Sequence, residues 1–244
     1  PQTPNPKPQT PNPKPLVLLT SIINFSPHPI IPMEQSCAEL LGILLQAVAH
    51  CETWVEQARV ALNDLPFYSP QIMYFILSKH CDDEIMTQGD LVRFMDEWKV
   101  KYTETSLKGL FMDFCPHRNL FEYEDFLLLT MPSSLAEKKE IKIAVSELSD
   151  DISFKLETSF VLFLVKEVKY QSEVESRRLD LFEAFRVDPM ELFKMIDGGK
   201  KGYIDYADTR QFMRSIGLEF ETIDWDNIVF RTKKSRSSNP VVER

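Results

Sequence analysis

Three carboxylates, Asp197, Asp205 and Asp208, fall within one short stretch reading Asp-Gly-Gly-Lys-Lys-Gly-Tyr-Ile-Asp-Tyr-Ala-Asp. Carboxylate and carbonyl oxygens gathered by a tight turn are the donors that a hard divalent cation takes. Gly202 supplies the residue type for the turn, and the backbone carbonyl of Tyr203 is a further oxygen. Gly199 and Lys201 stand where two more side-chain oxygens would be wanted, and Lys200 and Lys201 add positive charge that repels a cation. The chemistry on offer is therefore oxygen ligation of a cation, with a thin ligand set.

A second constellation is softer. His80 and Cys81 lie on one loop, Cys115 and His117 on another. If the two loops pair, the four side chains form a Cys2His2 set of the kind zinc accepts, although their spacing fits no standard zinc module. No phosphate-binding Gly-rich loop, GxSxG or HExxH pattern occurs, and the remaining acids and histidines are scattered as on solvated faces.

Helices must position these groups. Leu40, Leu41, Leu44, Ala47, Val48, Cys51, Val55, Ala58 and Leu62 recur at steps of three and four, which predicts a helix from Glu34 to about Asn63. Ser69-Pro70 and Asp188-Pro189 are helix starts with proline in the first turn. Thr103 is the expected cap of a helix carrying Leu107, Leu110 and Phe111. A long helix is expected from about Ile152 to Phe185, with Phe160–Val165 apolar all round and so buried on more than one side. Short helices around Met73–Leu77, Leu91–Trp98, Phe126–Thr130, Leu192–Ile196, Phe212–Met213 and Trp225–Val229 complete an all-α reading.

The chain repeats itself. At an offset of 118, Phe75, Met86, Asp90, Phe94, Leu107 and Leu110 meet Phe193, Ile204, Asp208, Phe212, Trp225 and Ile228. Upstream the offset becomes 119, where Glu56, Arg59, Leu62 and Pro70 meet Glu175, Arg178, Leu181 and Pro189. Each half reads as a long helix followed by helix–loop–helix pairs.

Glycine at the sixth position (Gly202), isoleucine at the eighth (Ile204) and an acid at the twelfth (Asp208) match the skeleton of a calcium loop. With the Phe-Glu-Tyr-Glu-Asp-Phe ending at Phe121–Phe126 and the 35-residue step from Asp90 to Asp125, the chain resembles the EF-hand family with calmodulin-like pairs. The resemblance implies two units, each a long helix plus a pair of hands. In the best preserved loop it implies Asp197, the Tyr203 backbone carbonyl, Asp205 and Asp208 as the metal ligands. The other loops are eroded. The first, Lys79–Asp90, has Lys79 at position 1 and Glu84 at the glycine position; the second, between Asp113 and Asp125, is one residue too long, with Asp113 at position 1 or just before it and Pro116, His117 and Arg118 in its ligand region. A fourth loop is expected at Thr232–Glu243 with Lys233, Lys234 and Arg236 in place of acids, and its exiting helix is missing, so the second unit reads as truncated. Eroded ligands imply weak Ca2+ binding at most.

Composition agrees with a packed helical protein: 244 residues, 43% hydrophobic, 27% charged, with 17 Phe and 9 Met against 7 Gly. A net charge of −9 argues against a nucleic-acid partner and would suit basic partner helices or cations. Four cysteines (Cys37, Cys51, Cys81, Cys115) without CxxC spacing read as reduced thiols of a cytoplasmic protein. Residues 1–14 are a tandem repeat of Pro-Gln-Thr-Pro-Asn-Pro-Lys, which is also the three-frame translation of repeated CCCCAAA, a telomere-like unit. The apolar run within residues 16–32 is too short and proline-broken for a membrane span and lacks a signal-peptide cleavage site. Met33 then reads as a start.

The expected organisation is thus low-complexity sequence over 1–32, a helix plus degenerate hand pair over 33–132, a connector over 133–150, and a long helix plus incomplete second pair over 151–244. The expected function is a non-enzymatic interaction or scaffold module, with a groove of Phe, Leu and Met (Met73, Met86, Met95, Met112) gripping a partner helix, although methionines at helical spacing are more often plain core. Family analogy extends the partner to a cytoskeletal or ciliary component. The alternatives are a calcium sensor or buffer acting through Asp197–Asp208, and a zinc-stabilised structural protein.

Overall fold

Ser36 begins the described chain with a reciprocal cap. Its hydroxyl accepts from the Glu39 backbone N–H, and its own N–H donates to Glu39 Oε2 at 2.8 Å. The structure, a computed structural model, describes residues 36–78, 86–115, 120–133, 149–186 and 188–237. The tandem repeat, the apolar run before Met33 and most of the connector lie outside the described residues.

Helix α1 (Cys37–Asn63) is followed by α2 (Pro70–Ser78), α3 (Gln88–Glu97), α4 (Glu104–Phe114) and α5 (Tyr123–Thr130). The long α6 (Asp150–Phe185), α7 (Pro189–Ile196), α8 (Tyr206–Ser215) and α9 (Thr222–Ser237) form the second series. Among the described residues the fold is all-α. Side-chain caps start most of these helices: Thr87 for α3, Thr103 for α4, Ser149 for α6, Asp188 for α7 and Asp205 for α8. Arg186, in the left-handed region at φ 48°, ends α6. No helix among the described residues is long and apolar enough to cross a membrane.

Helices α1 and α6 lie along one another and carry two cores. The first core joins Cys51, Val55 and Leu62 from the second half of α1 to Leu156, Phe160, Phe163, Leu164 and Val168 from the first half of α6, together with α2–α5. The second joins Leu40–Ala49 from the first half of α1 to Leu181 near the end of α6, with Leu192, Phe193, Ile196, Phe212, Met213 and Ile228. The long helices therefore run antiparallel, and each core draws on both halves of the chain. The sequence boundary at 133–150 follows the chain; the hydrophobic cores interleave across it.

In the first core, Phe160 packs between Phe94, Phe126 and Phe163 with ring centroids 5.5–5.9 Å apart. Met86 and Phe121 join the two helix–loop–helix segments: the Phe121 N–H donates to the Met86 carbonyl at 2.8 Å, beside an isolated antiparallel bridge between Thr87 and Leu120.

Three expectations need correction. Phe160–Val165 is buried on one side rather than on more than one: Leu162 is 63% and Val165 42% exposed while Phe160, Phe163 and Leu164 face the core. The loop expected from Thr232 does not open there; α9 continues to Ser237, since Asn227, Ile228, Arg231 and Thr232 are buried against the rest of the molecule and hold the helix on course. Met73, Met86 and Met95 are core residues rather than the floor of an accessible groove; of the four methionines named, Met112 alone is exposed.

Candidate functional site: a lysine-filled acidic loop and a buried ion cluster

The loop between α7 and α8 brings Asp197, Asp205 and Asp208 together, but around donors of the chain itself. Asp197 follows α7 as its C-cap residue and is almost fully buried. Its two carboxylate oxygens accept from the backbone N–H groups of Lys201 (2.9 Å) and Gly202 (2.8 Å). This turn needs left-handed backbone at Lys200 (φ 52°) and Gly202 (φ 79°), and Gly202 meets that requirement without strain. Asp205 and Asp208 cap α8 reciprocally: Asp205 N–H donates to Asp208 Oδ2 and Asp208 N–H to Asp205 Oδ1, both at 3.0 Å.

Lys201 Nζ completes the arrangement. It lies 2.5 Å from Asp205 Oδ2 and 2.7 Å from Asp208 Oδ2, and 4.7 Å from the centroid of the Tyr203 ring. Hydrogen bonds to Asp205 and Asp208 hold the Lys201 ammonium well above the ordinary lysine range. The same contact with Lys201, with help from the Asp208 backbone, lowers the Asp205 carboxyl. Tyr203, expected to offer its carbonyl, presents an exposed ring beneath the ammonium.

A divalent ion implied by the sequence does not fit this donor set. Oδ2 of Asp205 and Oδ2 of Asp208 are held by the Lys201 ammonium, and Gly199 and Lys201 leave two ligand positions without an oxygen. Positive charge stands at the point where the oxygens of Asp205 and Asp208 converge. Among the described residues no group of three or more His, Cys, Asp or Glu side chains is arranged to hold a metal ion.

The other loops place their acids differently. Asp90 caps α3, with Oδ2 accepting from the Thr87 N–H at 2.8 Å. Asp125 accepts from the Glu122 N–H at 3.0 Å. Asp113, expected at the start of the second loop or just before it, lies in the last turn of α4 and points to Arg231. Of the Cys2His2 set, His80, Cys81 and His117 lie outside the described residues. Cys115 is buried, its Sγ accepting from Gln88 Nε2 at 3.4 Å, and burial pushes its thiol up to about 11.

A cluster of buried charge between α1, α4, α6 and α9 is the feature that motif reasoning misses. Arg59 pairs with Glu52, reaches Glu167 Oε2 at 3.4 Å and donates through Nε to the Leu129 carbonyl at 2.9 Å. Arg231 pairs with Glu167, and lies 3.3 Å from Glu52 Oε2 and 2.6 Å from Asp113 Oδ2. Gln171 Nε2 donates to Asp113 Oδ2 (2.8 Å) and Glu167 Oε1 (3.1 Å). The Arg231 guanidinium also stacks 4.0 Å from the Tyr170 ring centroid. Burial alone would raise the Glu167 carboxyl, yet Arg231 and Arg59 beside it hold it below the ordinary glutamate range. Three carboxylates, Glu52, Asp113 and Glu167, share two guanidiniums, and the cluster ties four helices together. The signal lies in the phase: Val48, Glu52, Val55, Arg59 and Leu62 share one buried stripe, so two charges occupy core positions.

The chain was compared with known proteins, and no family model, curated protein or solved structure matches it.

Proposed function

We propose that this chain is a non-enzymatic, EF-hand-like protein-interaction module whose docking surface is the outer face of α6. The observation that carries the reading is an exposed apolar stripe. Phe154 and Leu162, 59% and 63% exposed, recur with Thr158 and Val165 at helical steps along one face of α6. Trp98 extends the stripe at one end, 5.6 Å from the Phe154 ring, and Trp54 at the other, 5.0 Å from Lys169 Nζ. Apolar surface of this kind, rimmed by charge, marks a site where another molecule binds. A helix laid along it would present leucine-like anchors every third or fourth residue.

Charge selects the partner. Lys166 and Lys169 are exposed beside Leu162 and Val165, on a chain whose net charge is −9. An amphipathic helix with acidic flanks meets that rim; one with basic flanks does not. The EF-hand-like part of the reading rests on the Gly202, Ile204 and Asp208 skeleton and on the Met86–Phe121 bond joining two helix–loop–helix segments.

The test is a titration with two synthetic amphipathic peptides, one Leu/Glu and one Leu/Lys, read by the fluorescence of Trp54 and Trp98. Saturable binding of the Leu/Glu peptide, lost in Leu162→Glu, is expected. Binding of neither peptide, or binding indifferent to Leu162→Glu, refutes the proposal.

A further inference from the structure

We infer that Lys201 is the resident cation of the Asp197–Asp208 loop: its ammonium takes the place of a divalent ion and keeps the loop in its loaded shape without one. The inference deepens the EF-hand-like reading of this loop and rests on it. It does not depend on the α6 docking surface.

Three relationships carry it. First, the ammonium sits on the acids of loop positions 9 and 12, Asp205 at 2.5 Å and Asp208 at 2.7 Å, two of the groups whose convergence an ion would otherwise enforce. Secondly, Lys201 is itself residue 5 of the loop, a ligand position, so the cation is tethered inside the ring that it closes. Thirdly, the Lys201 backbone N–H donates to Asp197 Oδ1 at 2.9 Å, so the same residue ties position 1 to positions 9 and 12. Lys201 thus links both ends of the loop, through its backbone at α7 and its side chain at α8.

The consequence is a loop insensitive to calcium. A free ion must displace a covalently attached competitor whose effective concentration does not fall on dilution. The relative placement of α7 and α8, which ion binding changes in a sensor, is then constant.

Calorimetric titration of the full chain with CaCl2, run beside thermal unfolding with and without the salt, tests this. The native protein should show no saturable binding tighter than about 1 mM, the weak end of such sites. Lys201→Met should lower the Tm, and added Ca2+ should not restore it. Lys201→Asp, which turns the competitor into a fifth-position ligand, should gain saturable binding and a Ca2+-dependent rise in Tm, both lost when Asp208→Asn is added. Tighter Ca2+ binding by the native protein overturns the inference. So does an unchanged Tm in Lys201→Met, or the absence of Ca2+ stabilisation in Lys201→Asp. The peptide titration of the α6 face reads none of these quantities, so either proposal can fail alone.

Discussion

Asp113 and Arg231 touch, Oδ2 to Nη2 at 2.6 Å, and they are each other's counterparts in the internal repeat, 118 residues apart. The flanking contacts are reciprocal: α4 packs on α6, while α9, which carries Arg231, packs on α1. Where these two positions meet, one is an acid and the other a base, so two like charges do not face each other.

Removing Arg231 should therefore be expensive. Arg231→Met leaves Glu167, Asp113 and Glu52 short of a buried guanidinium. A broken buried pair typically costs about 3–5 kcal/mol, and urea denaturation at neutral pH should show a loss of that order. An Asp113→Asn, Arg231→Met double variant should lose less than the sum of the two single variants, because the two residues act on one another.

The same cluster sets an acid limit. The carboxyl of Glu167 is lowered in the folded protein, whereas in the unfolded chain it titrates near about 4.3. Its contribution to stability is fully present above that unfolded value and is lost as pH falls through the lower folded value. Denaturation midpoints measured downward from neutral pH should hold steady and then drop below about pH 4. In Glu167→Gln that part of the drop should be absent.

Burial should silence two of the cysteines. Cys51 and Cys115 are buried, and desolvation pushes both thiols up to about 11. At neutral pH neither should react with Ellman's reagent in the folded state at a rate near that of the unfolded chain. Cys37 is only partly buried and should react first of these three.

Neighbouring residues on α6 should respond in opposite ways to substitution. Phe160 is fully buried among aromatic rings, and Phe160→Ala should destabilise by about 3–5 kcal/mol. Leu162, two residues on, faces outward; Leu162→Glu should stay within about 0.5 kcal/mol of native stability while abolishing peptide binding. Comparing the two by chemical denaturation and by tryptophan fluorescence separates the packing face of the helix from the proposed docking face.

The helices were legible in the sequence because their causes are local. Three- and four-residue apolar steps, Ser69-Pro70, Asp188-Pro189 and Thr103 all act within a turn or two of where they stand. Only global packing could reveal that Leu40–Ala49 serves the second core and Leu156–Val168 the first, since nothing nearby in the chain encodes it. The same limit applies to Phe160–Val165, where composition suggests burial on more than one side but neighbours cover only one part. At the loop, the three carboxylates and the two absent ligands could be read from spacing. That Lys201 would curl back onto Asp205 and Asp208 is a matter of side-chain conformation, which spacing does not fix. Asp113 was read as a loop acid because its partner lies 118 residues away.

The interleaved cores have a consequence for how the chain is made. During synthesis the first half of α1 emerges early, with Leu40, Leu41, Leu44 and Leu45 exposed, while their partners Leu192, Phe193 and Phe212 come some 150 residues later. The second core cannot close until the segment up to Ile228 has left the ribosome. Its nucleation waits on contacts of high sequence separation, which slows folding relative to a helical bundle of local hairpins. The nascent chain thus carries an uncovered leucine-rich helix until α7–α9 are made, and premature termination before α7 leaves that helix permanently without its core.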